Sequence, residues 1–333
     1  MRHVVRVPDW ACSIISDHTD MHRAPHRVAP AKVPRFTLEL DDDARFEYAF
    51  LDQGGRVRAD PIIGATGTNP WYPEVSEVRG PRYRPGDLVD PPRADPPWRV
   101  RRWRLEADGF QSARRVSVLS PPDHDGPLSV VVVHDGIAYQ RLARTADVLA
   151  ALVARGEARP AHLVFTEPTQ RLSEYAWDPR HLHFVREVLR PAVERELAID
   201  GTWIAMGASL GGLAAATLAL ADPTAWQGVV AQAGAFLGTP DERRHHAVRS
   251  SWLLDELRSG AELGAQRWVL QVGRLDWLLD VNRAVRDVLE TRGALAAYRE
   301  GSAGHNWGCW RDGLADALRA ALPAQALAIA STA

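Results

Sequence analysis

Gly207-Ala208-Ser209-Leu210-Gly211-Gly212 is the stretch on which the reading of this chain turns. An apolar run, Thr202 to Met206, leads into it, and an Ala/Leu-rich segment from about Leu213 to Ala221 follows. Strand, G-x-S-x-G, helix is the context in which a serine is lifted onto a sharp turn. The small neighbours have a steric purpose. A serine at such a turn takes a strained backbone conformation, and bulky side chains beside it would clash. The turn raises the hydroxyl out of the sheet and leaves the next backbone N–H, that of Leu210, free to bind an oxyanion. The competing reading, a small-residue helix start that serves packing alone, has to be weighed on the rest of the chain.

The 333 residues suffice for two domains, and 46% hydrophobic with 25% charged residues is ordinary for a globular protein. A net charge of −2 gives no strong field for nucleic acid or an anionic membrane. No apolar run is long enough to span a bilayer. Met1 to Pro8 lacks a signal-peptide core, which favours the cytoplasm. The two cysteines, Cys12 and Cys309, lie at opposite ends and provide neither a disulfide framework nor a C-x-x-C site. The histidines show no H-E-x-x-H or comparable metal pairing, so no metal or other cofactor is expected. Twelve tryptophans exceed what a core of this size needs, and some are expected to line a cleft.

Residues 1–95 differ in texture from 96–333, and a domain boundary is placed between them. Phe36 to Leu40 and Phe46 to Leu51 alternate apolar and polar residues, as half-buried strands do. Turns at Asp41-Asp42-Asp43-Ala44 and Asp52-Gln53-Gly54-Gly55 separate short strands, which predicts a small β-sandwich. Pro81 to Pro97 reads as an extended, Pro-rich linker. Arg99 to Leu105 and Arg114 to Leu119 read as two antiparallel strands. Their arginines fit a solvated face alternating with buried Val, Trp and Leu better than a nucleic-acid patch. Beyond them, strands at Leu128–Val133, His162–Phe165, Trp203–Met206, Gly228–Ala231, Arg267–Val272 and Leu295–Tyr298 alternate with helical segments. Those segments run over Tyr139–Arg155, Phe184–Leu197 with a break or kink near Pro191, Trp252–Leu257, Val281–Leu289 and Trp310–Leu322. Such alternation predicts an α/β fold with a mostly parallel central sheet covered on both faces. Its sites form beyond the carboxyl ends of the strands.

A serine hydroxyl needs a base, and the base needs an orienting acid. Asp276 follows the strand ending at Val272-Gly273, ahead of its rivals Asp280, Asp255 and Asp287. His305 follows the last strand on Gly/Ser-rich flanks and precedes a helix. His181, His183, His245 and His246 fit helix-surface or loop positions, while His134 lies close to the loop after Val133. That loop, His134-Asp135-Gly136-Ile137, is where a second oxyanion donor belongs, from the N–H of Gly136 or Ile137. Trp177, Trp277 and Trp307 are candidates for an aromatic cleft wall, with core packing the alternative for Trp277.

The ordered segments Val132–Gly136, Arg171–Tyr175, Gly207–Gly212, Gly273–Asp276 and Gly304–Trp307 with Trp310-Arg311 resemble the enterochelin (enterobactin) esterase-like branch of the esterase D superfamily of α/β-hydrolases. The resemblance spans about Trp98 to Leu322. It implies Ser209 as nucleophile, His305 as base and Asp276 as acid, and it implies that an Arg171–Glu174 pair orders the loop beside the site, which makes both residues substrate-cleft candidates. Ser16–Met21, Phe46–Phe50 and Ala59-Asp60-Pro61 are similar to the immunoglobulin-like early-set module that precedes this catalytic domain. The chain departs from that module at Met21, where an aromatic residue is usual, and at the Asn69-Pro70-Trp71 loop. The implied function is a serine carboxylic-ester hydrolase acting on a small-molecule ester such as a siderophore. Alternatives are a feruloyl or acetyl esterase, an acyltransferase on a sugar ester, and a relict glycan-binding protein. The β-module would serve a homodimer contact as readily as a substrate gate.

Overall fold

The computed structural model describes residues 2–18, 26–27, 35–69, 72–106, 110, 112–241 and 250–324. Thr19, Asp20, Met21, Pro70, Trp71, His245 and His246 lie outside the described residues.

An eight-stranded sheet forms the larger part. Its strands are β8 (Arg99–Leu105), β9 (Arg114–Ser120), β10 (Leu128–His134), β11 (Ala161–Thr166), β12 (Ile199–Ala208), β13 (Gly228–Gln232), β14 (Arg267–Gly273) and β15 (Leu295–Gly301). They lie in the order β15-β14-β13-β12-β10-β11-β9-β8. Pairing is parallel from β15 to β11 and antiparallel at β11/β9 and β9/β8. β10 shows why the sheet is covered twice. Val130 and Val132 enter one hydrophobic core, and Val131 and Val133 enter the other. A strand apolar on both faces is stable only between two helical layers.

Helices α1 (Gly136–Arg141), α2 (Thr145–Ala154) and α9 (Trp307–Ala321) feed one core. The short α3 (Arg171–Glu174) precedes the other layer, made of α4 (Pro179–His183), α5 (Arg190–Glu196), α6 (Leu210–Ala221), α7 (Trp252–Arg258) and α8 (Leu279–Thr291). The single helix expected over Tyr139–Arg155 is two. Arg144 takes a left-handed φ of 50°, and the Thr145 hydroxyl donates to the Tyr139 carbonyl at 3.0 Å. Of the break or kink expected near Pro191, a break is absent and a helical irregularity takes its place. A π-helical stretch, Phe184–Leu189, joins α4 to α5, and its wider turn absorbs the hydrogen bond that proline cannot donate.

The arginine-rich pair of strands also departs from simple alternation. Val100 on the edge strand β8 is 46% exposed, whereas Arg114 on β9 is buried. Its guanidinium pairs with Glu174 at 2.5 Å and lies 3.8 Å from the centre of the Phe110 ring. Breaking such a pair leaves an uncompensated buried charge, which is why it is structural and not a docking patch.

The N-terminal residues build two further sheets. β1 (Arg2–Arg6) pairs with β4 (Arg35–Glu39). β2 (Ala11–Ser16), β3 (His26–Arg27), β5 (Arg45–Asp52), β6 (Val57–Arg58) and β7 (Ser76–Arg79) form the other, with β5 central. Val5 and Leu38 from the first sheet share a core with Ile14, Phe46, Tyr48 and Phe50 from the second. β5 is buried on both faces, not half-buried as its alternation predicts. Arg45 and Glu47, on its polar side, are covered by later segments of the chain.

The Pro-rich segment after β7 is no free linker. The Tyr83 hydroxyl donates to Asp312 at 2.8 Å, Gly86 N–H donates to the same carboxylate at 3.2 Å, and Arg311 donates to the Val89 carbonyl at 2.8 Å. Near its end, Ala94 N–H donates to Asp147 at 3.0 Å. With few ladder bonds of its own, this strap satisfies its backbone on side chains of α9 and α2. Replacing Asp312 with alanine removes two of these anchors. It is expected to cost about 1–3 kcal/mol in urea unfolding and to open residues 83–97 to limited proteolysis. Unchanged stability and cleavage would refute the strap's dependence on Asp312.

Candidate active site

Four loops leave the same edge of the parallel sheet, after β10, β12, β14 and β15. The turn after β12 holds Ser209 alone between Ala208 and Leu210. Its φ of 55° and ψ of −120° are strained for a residue with a side chain, at a cost on the order of 1–3 kcal/mol. Backbone bonds maintain it. Ser209 N–H donates to the Gln232 carbonyl at 2.9 Å, and its own carbonyl accepts from Ala235 at 2.9 Å and Leu213 at 3.1 Å. A Cβ on Gly207 would lie 2.3 Å from the Gly211 carbonyl carbon, so the turn closes only with glycine there.

The β14–α8 turn delivers Asp276. One carboxylate oxygen accepts from Leu278 N–H at 2.8 Å, which fixes the direction of the other. The β15–α9 loop delivers His305. Its Nδ1 lies 2.8 Å from that other oxygen of Asp276, and its Nε2 lies 3.0 Å from Ser209 Oγ. An ionised carboxylate only accepts, so Nδ1 carries the proton and Nε2 presents a lone pair to the hydroxyl. The Asp276 side chain is fully covered, while the imidazole keeps 16% of its surface open. Trp277 and Trp310 flank the ring at 5.8 and 5.2 Å between centres. The rival carboxylates Asp255, Asp280 and Asp287 are exposed.

On the other side of Ser209, Leu210 N–H and Gly136 N–H each open a helix and have no intrahelical acceptor. Gly136 packs so tightly that a Cβ would lie 2.6 Å from the Phe165 Cβ. Ile137 N–H differs from the expectation of a free donor, because it donates to the Glu167 carboxylate. Burial pushes the Glu167 pKa up to about 7, ahead of that hydrogen bond, which pulls it down.

Asp135 enters this loop in the left-handed region with φ 56°. Its carboxylate takes a bidentate contact from Arg171, both bonds 2.8 Å, and Arg171 also donates to the Ala208 carbonyl at 3.3 Å. Arg171 thus ties the Gly136 loop to the residue before Ser209. The expected Arg171–Glu174 pair is replaced by two ion pairs, Arg171 with Asp135 and Glu174 with Arg114. Glu174 is buried and accepts from Thr169 and Gln170 N–H groups at 3.0 and 2.8 Å, so it shapes the turn before α3 instead of lining a cleft. Trp307 is also a correction. As the first residue of α9 it is 1% exposed and packs edge-on against Tyr139 and Trp310. Trp177, with a left-handed φ of 58°, is largely buried edge-on against Trp252, whose helix follows Ser251.

Three supporting residues escape sequence reading. His181, expected at a surface, is buried with its Nε2 3.1 Å from His134 Nε2, while His134 Nδ1 lies 3.0 Å from the Met206 carbonyl. Desolvation holds the His134 pKa at about 4 and that of His181 well below its ordinary value, so both rings are neutral supports beneath the Ser209 turn. Gln232 receives the Tyr139 hydroxyl at 2.7 Å and donates to Gln271 at 2.7 Å and the Trp310 carbonyl at 2.8 Å. The carbonyl of Asp17 accepts from His305 N–H at 3.2 Å. No local pattern marks any of them, because their partners are remote in the chain. Among the described residues, no group of three or more His, Cys, Asp or Glu is arranged to hold a metal ion. No helix among them is long and apolar enough to cross a membrane.

A family model named Esterase, with the description "Putative esterase", matches residues 108–321, more than half of the chain. The chain belongs to this esterase family. It is therefore a carboxylic-ester hydrolase. The fold of this esterase matches that of the enterobactin esterase of Shigella flexneri, solved in the presence of 2,3-dihydroxy-N-benzoyl-serine. That match covers 96% of this chain and 91% of that one at 20% identity, with a TM-score of 0.72. The ferric enterobactin esterase of Salmonella typhimurium matches over 96% and 92% at 19% identity, with a TM-score of 0.73. A ferulic acid esterase matches 67% of this chain and 96% of its own at 20% identity, with a TM-score of 0.56. Comparison with curated protein sequences finds no match.

Glu167 gives this esterase a testable pH dependence. A carboxyl whose folded pKa is raised binds its proton more tightly in the folded state. Stability therefore falls as pH rises from the ordinary 4.5 to about 7 and is level beyond it. Glu167→Gln keeps an acceptor for Ile137 N–H and removes the titration. Urea unfolding at about pH 5 and about pH 8 should show the variant gaining stability relative to the parent at the higher pH. A constant difference across that window would refute the assignment.

Proposed function

We propose that this esterase works through Ser209, His305 and Asp276 by way of an acyl-enzyme. Ser209 Oγ attacks the ester carbonyl while His305 Nε2 takes its proton. Asp276 holds the imidazole in the productive tautomer and stabilises the imidazolium. N–H groups of Leu210 and Gly136 receive the tetrahedral oxyanion. His305 then protonates the leaving alcohol, and water, activated by the same imidazole, releases the acid. The observation that carries this reading is the hydrogen-bonded line from Ser209 Oγ through His305 to the buried Asp276, with the serine on a strained turn.

A siderophore-type ester is the substrate we favour. Residues 1–95 would be an immunoglobulin-like module preceding a catalytic domain at 96–333, in a cytoplasmic protein. Support for this choice comes from the extent of the matches. The likeness to the enterobactin esterases runs through the N-terminal sheets, covering 96% of this chain, whereas the ferulic acid esterase covers only 67% of it. A feruloyl ester remains the second reading, because that match takes in 96% of the ferulic acid esterase itself.

Ser209→Ala and His305→Ala are each expected to lower kcat on p-nitrophenyl esters by about 10⁴- to 10⁶-fold, with the fold retained. The parent protein should be labelled at Ser209 by a fluorophosphonate. Full activity in Ser209→Ala would end the catalytic reading, and an unlabelled parent would favour a binding protein. A hydrolysis panel of a catecholate siderophore lactone and a feruloyl sugar separates the two substrate readings by their kcat/KM.

A further inference from the structure

We propose that Asp17, in the N-terminal β region, is a positioning residue for the imidazole of His305. The proposal rests on the catalytic reading of Ser209, His305 and Asp276 above, and it assigns part of that machinery to a segment outside the eight-stranded sheet.

Asp17 follows directly on β2 and is fully buried. Its backbone N–H donates to the Glu47 carbonyl at 3.1 Å, and Glu47 N–H donates to its carboxyl at 3.0 Å, so the residue is rigidly part of the sheet around β5. From there it grips the histidine loop twice. The Asp17 carbonyl accepts the N–H of His305 at 3.2 Å, and its carboxyl accepts the side-chain amide of Asn306. Asn306 in turn caps α9, accepting from Cys309 N–H at 2.8 Å. One side chain therefore connects the sheet, the residue after His305 and the start of the following helix. The approach is close. A Cβ on Gly304 would lie 2.4 Å from the Asp17 carboxyl carbon, so the loop seats itself on Asp17 only because residue 304 is glycine.

The neighbouring contacts carry the same load. Arg45 N–H donates to the Ser302 carbonyl at 2.7 Å, and the Ser302 hydroxyl donates to Asp43 at 2.5 Å. The Arg45 guanidinium, paired with Glu77, packs where a side chain on Gly308 would sit. Arg274, on the loop that carries Asp276, reaches Asp41 at 3.1 Å and Asp43 at 3.0 Å. Both loops that present the acid and the imidazole are thus fastened to the N-terminal strands. Of these contacts, the one from Asp17 is made to His305 itself.

The chemistry of the buried group fits a neutral acceptor. One oxygen of Asp17 has no hydrogen-bond partner, a costly arrangement for an ionised carboxylate. Burial, and next the Glu47 carboxyl, push its pKa well above the ordinary range. A protonated acid still accepts from Glu47 N–H and Asn306 without placing a second negative charge beside Asp276. What Asp17 supplies is placement, and displacement of a catalytic group by about 1 Å costs on the order of 10²-fold in rate.

The test uses the full chain with Asp17→Ala, Asp17→Asn and Asp60→Asn. Asp60 accepts from the Tyr48 hydroxyl at 2.5 Å inside the N-terminal core, and it lies outside the set of residues that hold the loop, so it controls for general loosening of that region. On p-nitrophenyl butyrate, Asp17→Ala should lose on the order of 10- to 100-fold in kcat with KM nearly unchanged. Fluorophosphonate labelling of Ser209 should slow by the same factor. Asp17→Asn, which keeps an acceptor for Asn306 and Glu47 N–H, should recover most of the loss. Asp60→Asn should lower Tm without a matching loss of kcat. In parallel, the low-field proton resonance of the His305 Nδ1–H bond to Asp276, assigned by its absence in His305→Ala, should broaden or vanish in Asp17→Ala alone. Wild-type kcat with an intact resonance in Asp17→Ala overturns the proposal. So do equal losses in Asp17→Ala and Asp17→Asn, or a loss in Asp60→Asn that tracks its Tm. A parent protein that neither labels nor hydrolyses the ester would defeat the catalytic reading instead, and the resonance would still decide whether Asp17 positions the ring.

Discussion

An imidazole can serve a hydroxyl on one side only if something fixes it on the other. Here the His305 ring is held between Ser209 and Asp276 by bonds of 3.0 and 2.8 Å. Those two distances set the relative positions of the ends of β12, β14 and β15. A parallel sheet meets that demand well, since its strands all deliver their following loops to one edge. The sheet in turn needs cover on both faces, and the two hydrophobic cores that alternate along β10 are the consequence.

Around the line from serine to aspartate the molecule maintains several unfavourable local arrangements. Ser209, Asp135 and Trp177 all take left-handed backbone conformations. Two neutral histidines, a buried arginine–glutamate pair and a buried acid lie within the frame. Each costs stability in isolation, and each is held by partners from a different part of the chain. Gln232 illustrates the economy of the arrangement. Its backbone carbonyl holds Ser209 N–H, and its side chain ties β13 to β14, α1 and α9. The turn under the serine and the helix after the histidine therefore share one polar network.

Much of the fold was legible in the order of residues. The alternation of apolar runs with helical periodicity foretold the parallel sheet, because a strand buried on both faces must be apolar throughout. Gly207 foretold the Ser209 turn, since a side chain there collides with the Gly211 backbone, and a Cβ on Gly211 would crowd the side chains of His134 and Asp135. Positions after strand ends singled out Asp276 and His305, and the structure brings both to Ser209. Boundaries were less readable. The π-helical stretch before Pro191 and the break at Arg144 depend on where neighbouring elements leave room. The arginines of β8 and β9 look alike in sequence, yet among the described residues only Arg114 meets a buried carboxylate.

Local rules thus determined what the chain must build nearby: the strained serine turn, the strands and helices, and the candidate acid and base. Tertiary structure alone decided the partners. Arg171 turned to Asp135 instead of to Glu174 three positions away. Trp307 went into the core, and Asp17 came to rest under the histidine loop. The physical reason is the same in each case. Periodicity and turn chemistry act over a few residues, whereas a buried charge or a packed ring is satisfied by whatever the completed fold places against it. In this chain those partners come from as far away as the N-terminal strands.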